Sequence, residues 1–233
     1  MGQREKSKTL TAIYDRLLSK YGPQHWWPGD GPFEVIVGAI LTQSAAWSNV
    51  EKGITNLKKA GPLSPQALQD LPSAKLAELL HPCGFYNAKT AKLKAFLKWF
   101  GERFDYSLDQ MFAGDTRSLR EELLKVHGIG PETADSILLY AGNRPVFVID
   151  AYTRRITDRL GLGHEGIKYS DYQDLFVSNL PRDSEMFNEF HALLVALGKK
   201  VCRKNKPRCE ECCLREICRQ SEVDYLKRFN FLN

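Results

Sequence analysis

Apolar side chains recur at three- and four-residue intervals along most of this chain, and strict alternation is nearly absent. Helical spacing runs through "TAIYDRLLSKYG", "FEVIVGAILTQ", "WSNVEKGITNLKKAG", "SPQALQDL", "SAKLAELLHPCG" and "NAKTAKLKAFLKWFGERF". It continues in "RSLREELLKVHG", "PETADSILLYAG", "DAYTRRITDRLGL", "SDYQDLFVSNL" and "SEMFNEFHALLVALGKKVC". Ser64-Pro65 and Ser73 read as helix starts, and Gly61, Gly84, Gly128 and Gly142 fall just past helix ends. "PVFVID" alone looks strand-like and is expected to be an extended connector. The pattern predicts an all-α protein without internal repeats or low-complexity segments.

With 233 residues, 43% of them hydrophobic, the chain can bury a core as one large domain or two small ones. No run of about 18 apolar residues occurs, so no membrane span is expected. The start, "MGQREKSKTL", lacks the apolar stretch of a secretory signal, and Lys6 breaks the myristoylation pattern. A cytoplasmic protein is the expectation. The excess of 33 basic over 28 acidic residues, +5, suits an anionic partner. Basic residues gather in "NAKTAKLKAFLKWF", "AYTRRITDRL" and "GKKVCRKNKPRC". Each gathering can be a solvated helix surface or part of one anion-binding face.

Five of the six cysteines lie between Cys202 and Cys218, and Cys202, Cys209, Cys212 and Cys218 are spaced C-x6-C-x2-C-x5-C. Thiolates grouped this tightly in a cytosolic chain suit a soft metal better than disulfides. Four cysteines satisfy zinc, although zinc sites mostly pair two short Cys-x-x-Cys units and only one short spacing occurs here. The spacing resembles the C-terminal cluster of endonuclease III and its relatives, the helix-hairpin-helix DNA glycosylases. That resemblance implies a [4Fe-4S] cluster on these four cysteines, a structural anchor, with Cys83 and Cys213 outside it. It further implies that the intervening loop meets DNA phosphates through Arg203, Lys204, Lys206 and Arg208.

"LLKVHGIGPETADSILLYAG" supplies a second match. A helix is expected to end at His127, Gly128-Ile129-Gly130 to turn the chain, and Pro131 to open the next helix. Glycines tolerate positive φ and leave N–H groups uncovered, and a helix N-terminus adds partial positive charge, so the turn can hold a phosphate. With Leu124, Val126 and Thr133-Ala134 around it, the segment resembles the family's DNA anchor. Gly128, Gly130 and Thr133 are the implied contacts, to backbone phosphates rather than bases.

Asp150 closes the apolar stretch of "PVFVIDAYTRRI" and is a good N-cap for the helix after it. In the family this place, between a V-x-D connector and a basic helix, belongs to the catalytic aspartate. An ionised carboxylate there stabilises positive charge on the sugar as the C1′–N bond breaks, and orients or deprotonates the attacking water. Bifunctional relatives hold a lysine two residues after the second hairpin glycine, where it forms a Schiff base and leads to strand cleavage. This chain has Glu132, which cannot form that intermediate. The resemblance thus implies a monofunctional enzyme.

"QHWWPGDGPFEVIVGAILTQ" places two indoles in a breaker-rich loop. With Trp47 nearby, it resembles the 3-methyladenine DNA glycosylase III branch, and Trp26, Trp27, Pro28 and Trp47 become the implied base-stacking residues. A flipped base gains roughly 1 to 3 kcal/mol from stacking, and a cationic alkylated purine gains cation–π attraction as well. Gln43 matches the residue that fills the vacated gap, and Phe85 or Tyr86 in "GFYNAKTAKLK" matches the wedge on the opposite strand. The branch lacks the four cluster cysteines, so this chain combines that pocket with the endonuclease III anchor.

The resemblance implies two helical lobes, a six-helix barrel over residues 30–145 and a cluster lobe from 1–29 and 146–233, with DNA across the groove between them. The expected partner is double-stranded DNA containing a damaged base, bound by a monomer. A mismatch thymine or uracil glycosylase, a bifunctional enzyme for oxidised pyrimidines and a non-catalytic cluster-bearing DNA-binding protein stay open. The tail after Glu222, with Tyr225, Phe229 and Phe231, has no assigned role.

Overall fold

The computed structural model describes residues 2–164 and 166–220. The aromatic tail residues Tyr225, Phe229 and Phe231 lie outside the described residues. Among those described there is no strand, and no helix is long and apolar enough to cross a membrane. Two compact units form: one from the described residues up to Trp26 together with those from Pro145 onward, the other from Trp27–Arg144.

In the first unit, α1 (Gln3–Tyr21) buries Leu10, Ile13 and Leu17, one apolar stripe on an otherwise polar helix. That stripe packs on the helix Ser184–Lys200.

The second unit is built around α2 (Pro32–Leu41), in which every residue from Phe33 onward except Glu34 is buried. A helix apolar on all sides belongs at a centre. Around it pack α3 (Trp47–Ala60), α6 (Tyr86–Phe104) and α9 (Pro131–Ser136). The shorter α4 (Pro65–Asp70), α5 (Ser73–Leu79), α7 (Leu108–Ala113) and α8 (Thr116–Leu123) complete it. Ser64, Ser107 and Asp115 cap α4, α7 and α8 with their side chains.

After Arg144 the chain re-enters the first unit. "PVFVID" runs as an extended connector into α10 (Ala151–Arg159). There follow α11 (Tyr169–Val177) and the long α12 (Ser184–Lys200), against which α10 packs.

Ser73 begins α5 as the pattern implies, with Pro72 at the capping position. Two other boundaries depart from the pattern-based reading. The helix before the hairpin stops at Leu123 rather than His127, and residues 124–127 form turns. The segment after the hairpin does not stay α-helical: from Ile137 to Ala141 it widens into a π-turn. Such wide turns concentrate at functional sites.

Candidate active site and DNA anchor

Asp150 caps α10: its Oδ1 accepts the backbone N–H of Thr153 at 2.7 Å. That leaves Oδ2 as the oxygen uncommitted to the cap, 3.7 Å from Nε2 of His191 on α12. The Asp150 side chain is 14% exposed, so the carboxylate is recessed without being sealed. Its approach is held rigidly. The Ile149 N–H donates to Tyr169 Oη at 3.2 Å, and Gln173 Nε2 donates to the Phe147 carbonyl at 2.8 Å. The Phe147 ring stacks on Phe176 at 4.0 Å and meets Phe187 and Phe190 edge-on. Burial lowers the pKa of His191, with Asp150 partly opposing.

The adjacent tryptophans separate into different units. Trp26 belongs to the first, where Lys199 sits 5.6 Å from its ring centroid. Trp27 belongs to the second and packs on α2 where Gly38 leaves room; a β-carbon there would lie 3.1 Å from its Nε1. Trp47 meets Trp27 edge-on at 5.2 Å and Tyr140, carried by the π-turn, tilts against it at 5.2 Å. Both indoles stay half-buried, and Pro28 is exposed.

In the hairpin, Gly128 has φ +81°, and a β-carbon there would strike the stem of Lys92 at 2.2 Å. Gly130 is extended, with φ −91° and ψ 177°, so only the first glycine uses the left-handed region. Thr133 is buried, its Oγ1 accepting from Gln43 Nε2 at 3.0 Å. The same Nε2 donates to the Gly128 carbonyl at 3.0 Å, and Lys92 Nζ donates to Gln43 Oε1. Gln43 and Thr133 are thus tied to one another and to the hairpin. Glu132 is exposed on the first turn of α9. Behind the hairpin, Arg120 forks onto Asp135 at 2.6 and 3.0 Å.

Phe85 is 73% exposed at the start of α6, whereas Tyr86 is half-buried and tilts against His81 at 4.9 Å.

Cys202, Cys209, Cys212 and Cys218 line one cavity together with Arg159. Arg159 Nη1 donates to Cys202 Sγ at 3.3 Å and to the Arg203 carbonyl at 2.7 Å, and Nη2 donates to the Lys204 carbonyl at 3.0 Å. Cys218 Sγ donates to the Arg159 carbonyl at 3.4 Å. Burial and the neighbouring Cys213, Cys202 and Cys218 push the Cys212 thiol up to about 11. None of the six cysteines is in a disulfide. Among the described residues no three His, Cys, Asp or Glu side chains gather as a site for a single ion. Four thiols lining one cavity are a donor set suited to a thiolate-bound metal group. Cys213 is not part of that lining, and Cys83 is buried in the second unit.

Arg203, Lys204 and Lys206 are exposed on the loop, whose main chain Arg159 fixes. Arg208 is also exposed but engaged, by Glu211 at 3.1 Å and by the Lys200 carbonyl.

Tyr140, His191, Tyr169, Gln173, Lys92 and Arg159 were not singled out from the sequence. The lysine and the arginine sat within basic runs, and nothing in the order of residues marked the others.

Residues 37–182 match the HhH-GPD superfamily base excision DNA repair protein family. The "Putative DNA repair glycosylase" of Methanocaldococcus jannaschii is 45% identical over 93% of this chain and 98% of its own length. Endonuclease III of Sulfolobus acidocaldarius is 28% identical over 80% of this chain and 81% of its own. An endonuclease III trapped covalently on DNA shares the fold, with a TM-score of 0.82 at 19% identity over 94% of this chain and 98% of that one. The H. pylori 3-methyladenine DNA glycosylase bound to 1,N6-ethenoadenine superposes with a TM-score of 0.71 at 30% identity, over 86% of this chain and 98% of that one.

Proposed function

The chain belongs to the HhH-GPD superfamily and is a DNA glycosylase of base excision repair; we propose that it is monofunctional and hydrolyses the N-glycosidic bond of an alkylated purine flipped from duplex DNA. One observation carries the substrate class: Trp27, half-buried, in contact with Trp47 and Tyr140. An electron-rich aromatic surface favours a cationic, already labilised purine. The 30% identity to a 3-methyladenine DNA glycosylase points the same way. Lys199 already places a cation over Trp26, so Trp27 is the indole assigned to the charged base, with Pro28 and Trp47 of the same unit beside it.

In this proposal Oδ2 of Asp150 stabilises the positive charge that develops on the sugar and orients the attacking water. The α10 cap holds the carboxylate, and His191 lies beside it. The oxygen needs no movement to serve, because the cap uses only Oδ1. Glu132 supports the monofunctional reading, since a carboxylate forms no Schiff base with the sugar. Gln43 fills the gap, Phe85 or Tyr86 wedges the other strand, and Gly128, Gly130 and Thr133 shape the phosphate anchor. Arg203, Lys204, Lys206 and Arg208 add phosphate contacts.

Cys202, Cys209, Cys212 and Cys218 would hold a [4Fe-4S] cluster, which supplies a rigid anchor for the basic loop and no step of the hydrolysis.

The experiment is a panel of labelled duplexes containing 7-methylguanine, uracil, mismatched thymine or thymine glycol, each incubated and then split into samples with and without alkali. Breaks at the methylated purine only after alkali are expected. Breaks without alkali reject monofunctionality, release confined to another lesion rejects the substrate class, and binding with no release from any duplex rejects catalysis.

A further inference from the structure

Lys89 is 2% exposed. Enclosing an ammonium group costs free energy that a methionine of similar length would not, and burial lowers its pKa accordingly. What it holds is a short turn. Its Nζ donates to the Cys83 carbonyl at 2.6 Å, and its backbone N–H donates to the Phe85 carbonyl at 3.0 Å. One residue therefore fixes the chain on both sides of Gly84.

Gly84 and Phe85 follow one another with φ +64° and +46°. Glycine takes that conformation freely, whereas phenylalanine does so only when its surroundings impose it. The turn is anchored on its other side as well, Cys83 Sγ donating to the Asn49 carbonyl at 3.6 Å and the Gly84 N–H to the His81 carbonyl at 3.2 Å. What the strain achieves is a phenyl ring 73% exposed to solvent. Tyr86 is not interchangeable with it, being half-buried and tilted against His81.

With Phe85 taken as the wedge of the proposed function, the geometry points to Lys89 as its positioning residue, a buried amine that keeps the 83–85 turn in the strained form presenting the ring. This rests on the glycosylase reading and adds what holds the wedge in place.

A duplex with a tetrahydrofuran abasic analogue opposite 2-aminopurine reports unstacking of the opposite base without any chemistry. The wild-type protein is expected to raise its fluorescence on binding. Phe85→Ala and Lys89→Met are each expected to lose most of that rise and to slow base release about tenfold. The double variant should lose no more than Phe85→Ala alone. Gly84→Ala offers a route that spares the core, since a β-carbon there meets nothing within 4 Å while the φ of +64° disfavours it. It should reproduce the loss, and it decides alone if circular dichroism shows Lys89→Met unfolded. A wild-type rise in folded Lys89→Met or in Gly84→Ala, or losses that multiply in the double variant, overturns the role of Lys89. Base release by the wild type with no fluorescence rise overturns the wedge and leaves the glycosylase reading intact. A rise without base release from any lesion does the reverse.

Discussion

Oδ2 of Asp150 lies 3.7 Å from Nε2 of His191, a histidine buried within α12. Burial holds His191 below its ordinary 6.5, so it enters the folded protein neutral at pH 7. Below pH 6.5 the unfolded chain takes up a proton that the folded chain refuses, and stability falls as pH falls. The slope attributable to this group approaches that of one bound proton well below pH 6.5, until folded His191 itself titrates. Urea unfolding between pH 5.5 and 7.5 should show that decline, and His191→Leu should flatten it.

Arg120 and Asp135 tie α8 to α9 behind the hairpin, with the Asp135 side chain fully enclosed. Arg120→Met leaves a buried carboxylate without its guanidinium and should cost about 3 to 5 kcal/mol in chemical denaturation. Removing both charges together, as in Arg120→Met with Asp135→Leu, should recover most of the loss. Recovery would assign the pair to holding the hairpin rather than to DNA contact.

Gly38 lets Trp27 lie against α2. Alanine there would put a methyl 3.1 Å from Nε1 and 3.3 Å from Cζ2 of the indole, so the ring must give by a few tenths of an ångström. Intrinsic fluorescence should shift, and kcat/KM for base release should fall roughly tenfold, about 1.4 kcal/mol of transition-state stabilisation. The thermal midpoint is the control that separates a moved ring from a lost fold.

Arg159 donates to Cys202 Sγ and fixes the carbonyls of Arg203 and Lys204. If these cysteines hold the proposed [4Fe-4S] cluster, Arg159→Gln should reduce the iron retained per chain on purification and speed its loss to a chelator. Retention equal to wild type would separate the guanidinium from the cluster.

The helices were legible because their apolar positions follow the 3.6-residue period, as the central α2 shows with its nearly unbroken burial. Asp150 was legible as the cap that closes the connector. The basic runs were not. "NAKTAKLKAFLKWF" reads as a solvated or DNA-facing surface, yet Lys89 is buried, Lys92 crosses Gly128 to Gln43, and Lys94 donates to the carbonyls of Leu68, Gln69 and Leu71. In "AYTRRITDRL", Arg155 and Arg159 are likewise spent on main-chain carbonyls, while "GKKVCRKNKPRC" does expose Arg203, Lys204 and Lys206. Charge along a sequence gives the cation but not the carbonyl that waits for it. The same limit hid Tyr140, which reaches Trp27 from a π-turn that no local pattern announces.

The most direct measurement is single-turnover release of 7-methylguanine from a methylated duplex by the wild type and by Asp150→Asn. Asparagine caps a helix about as well as aspartate, so thermal stability should stay within about 1 kcal/mol. Release should slow by about 10² to 10³ with the anion gone. An asparagine variant that frees the base at the wild-type rate would contradict the assignment of Asp150 as the group that meets the sugar.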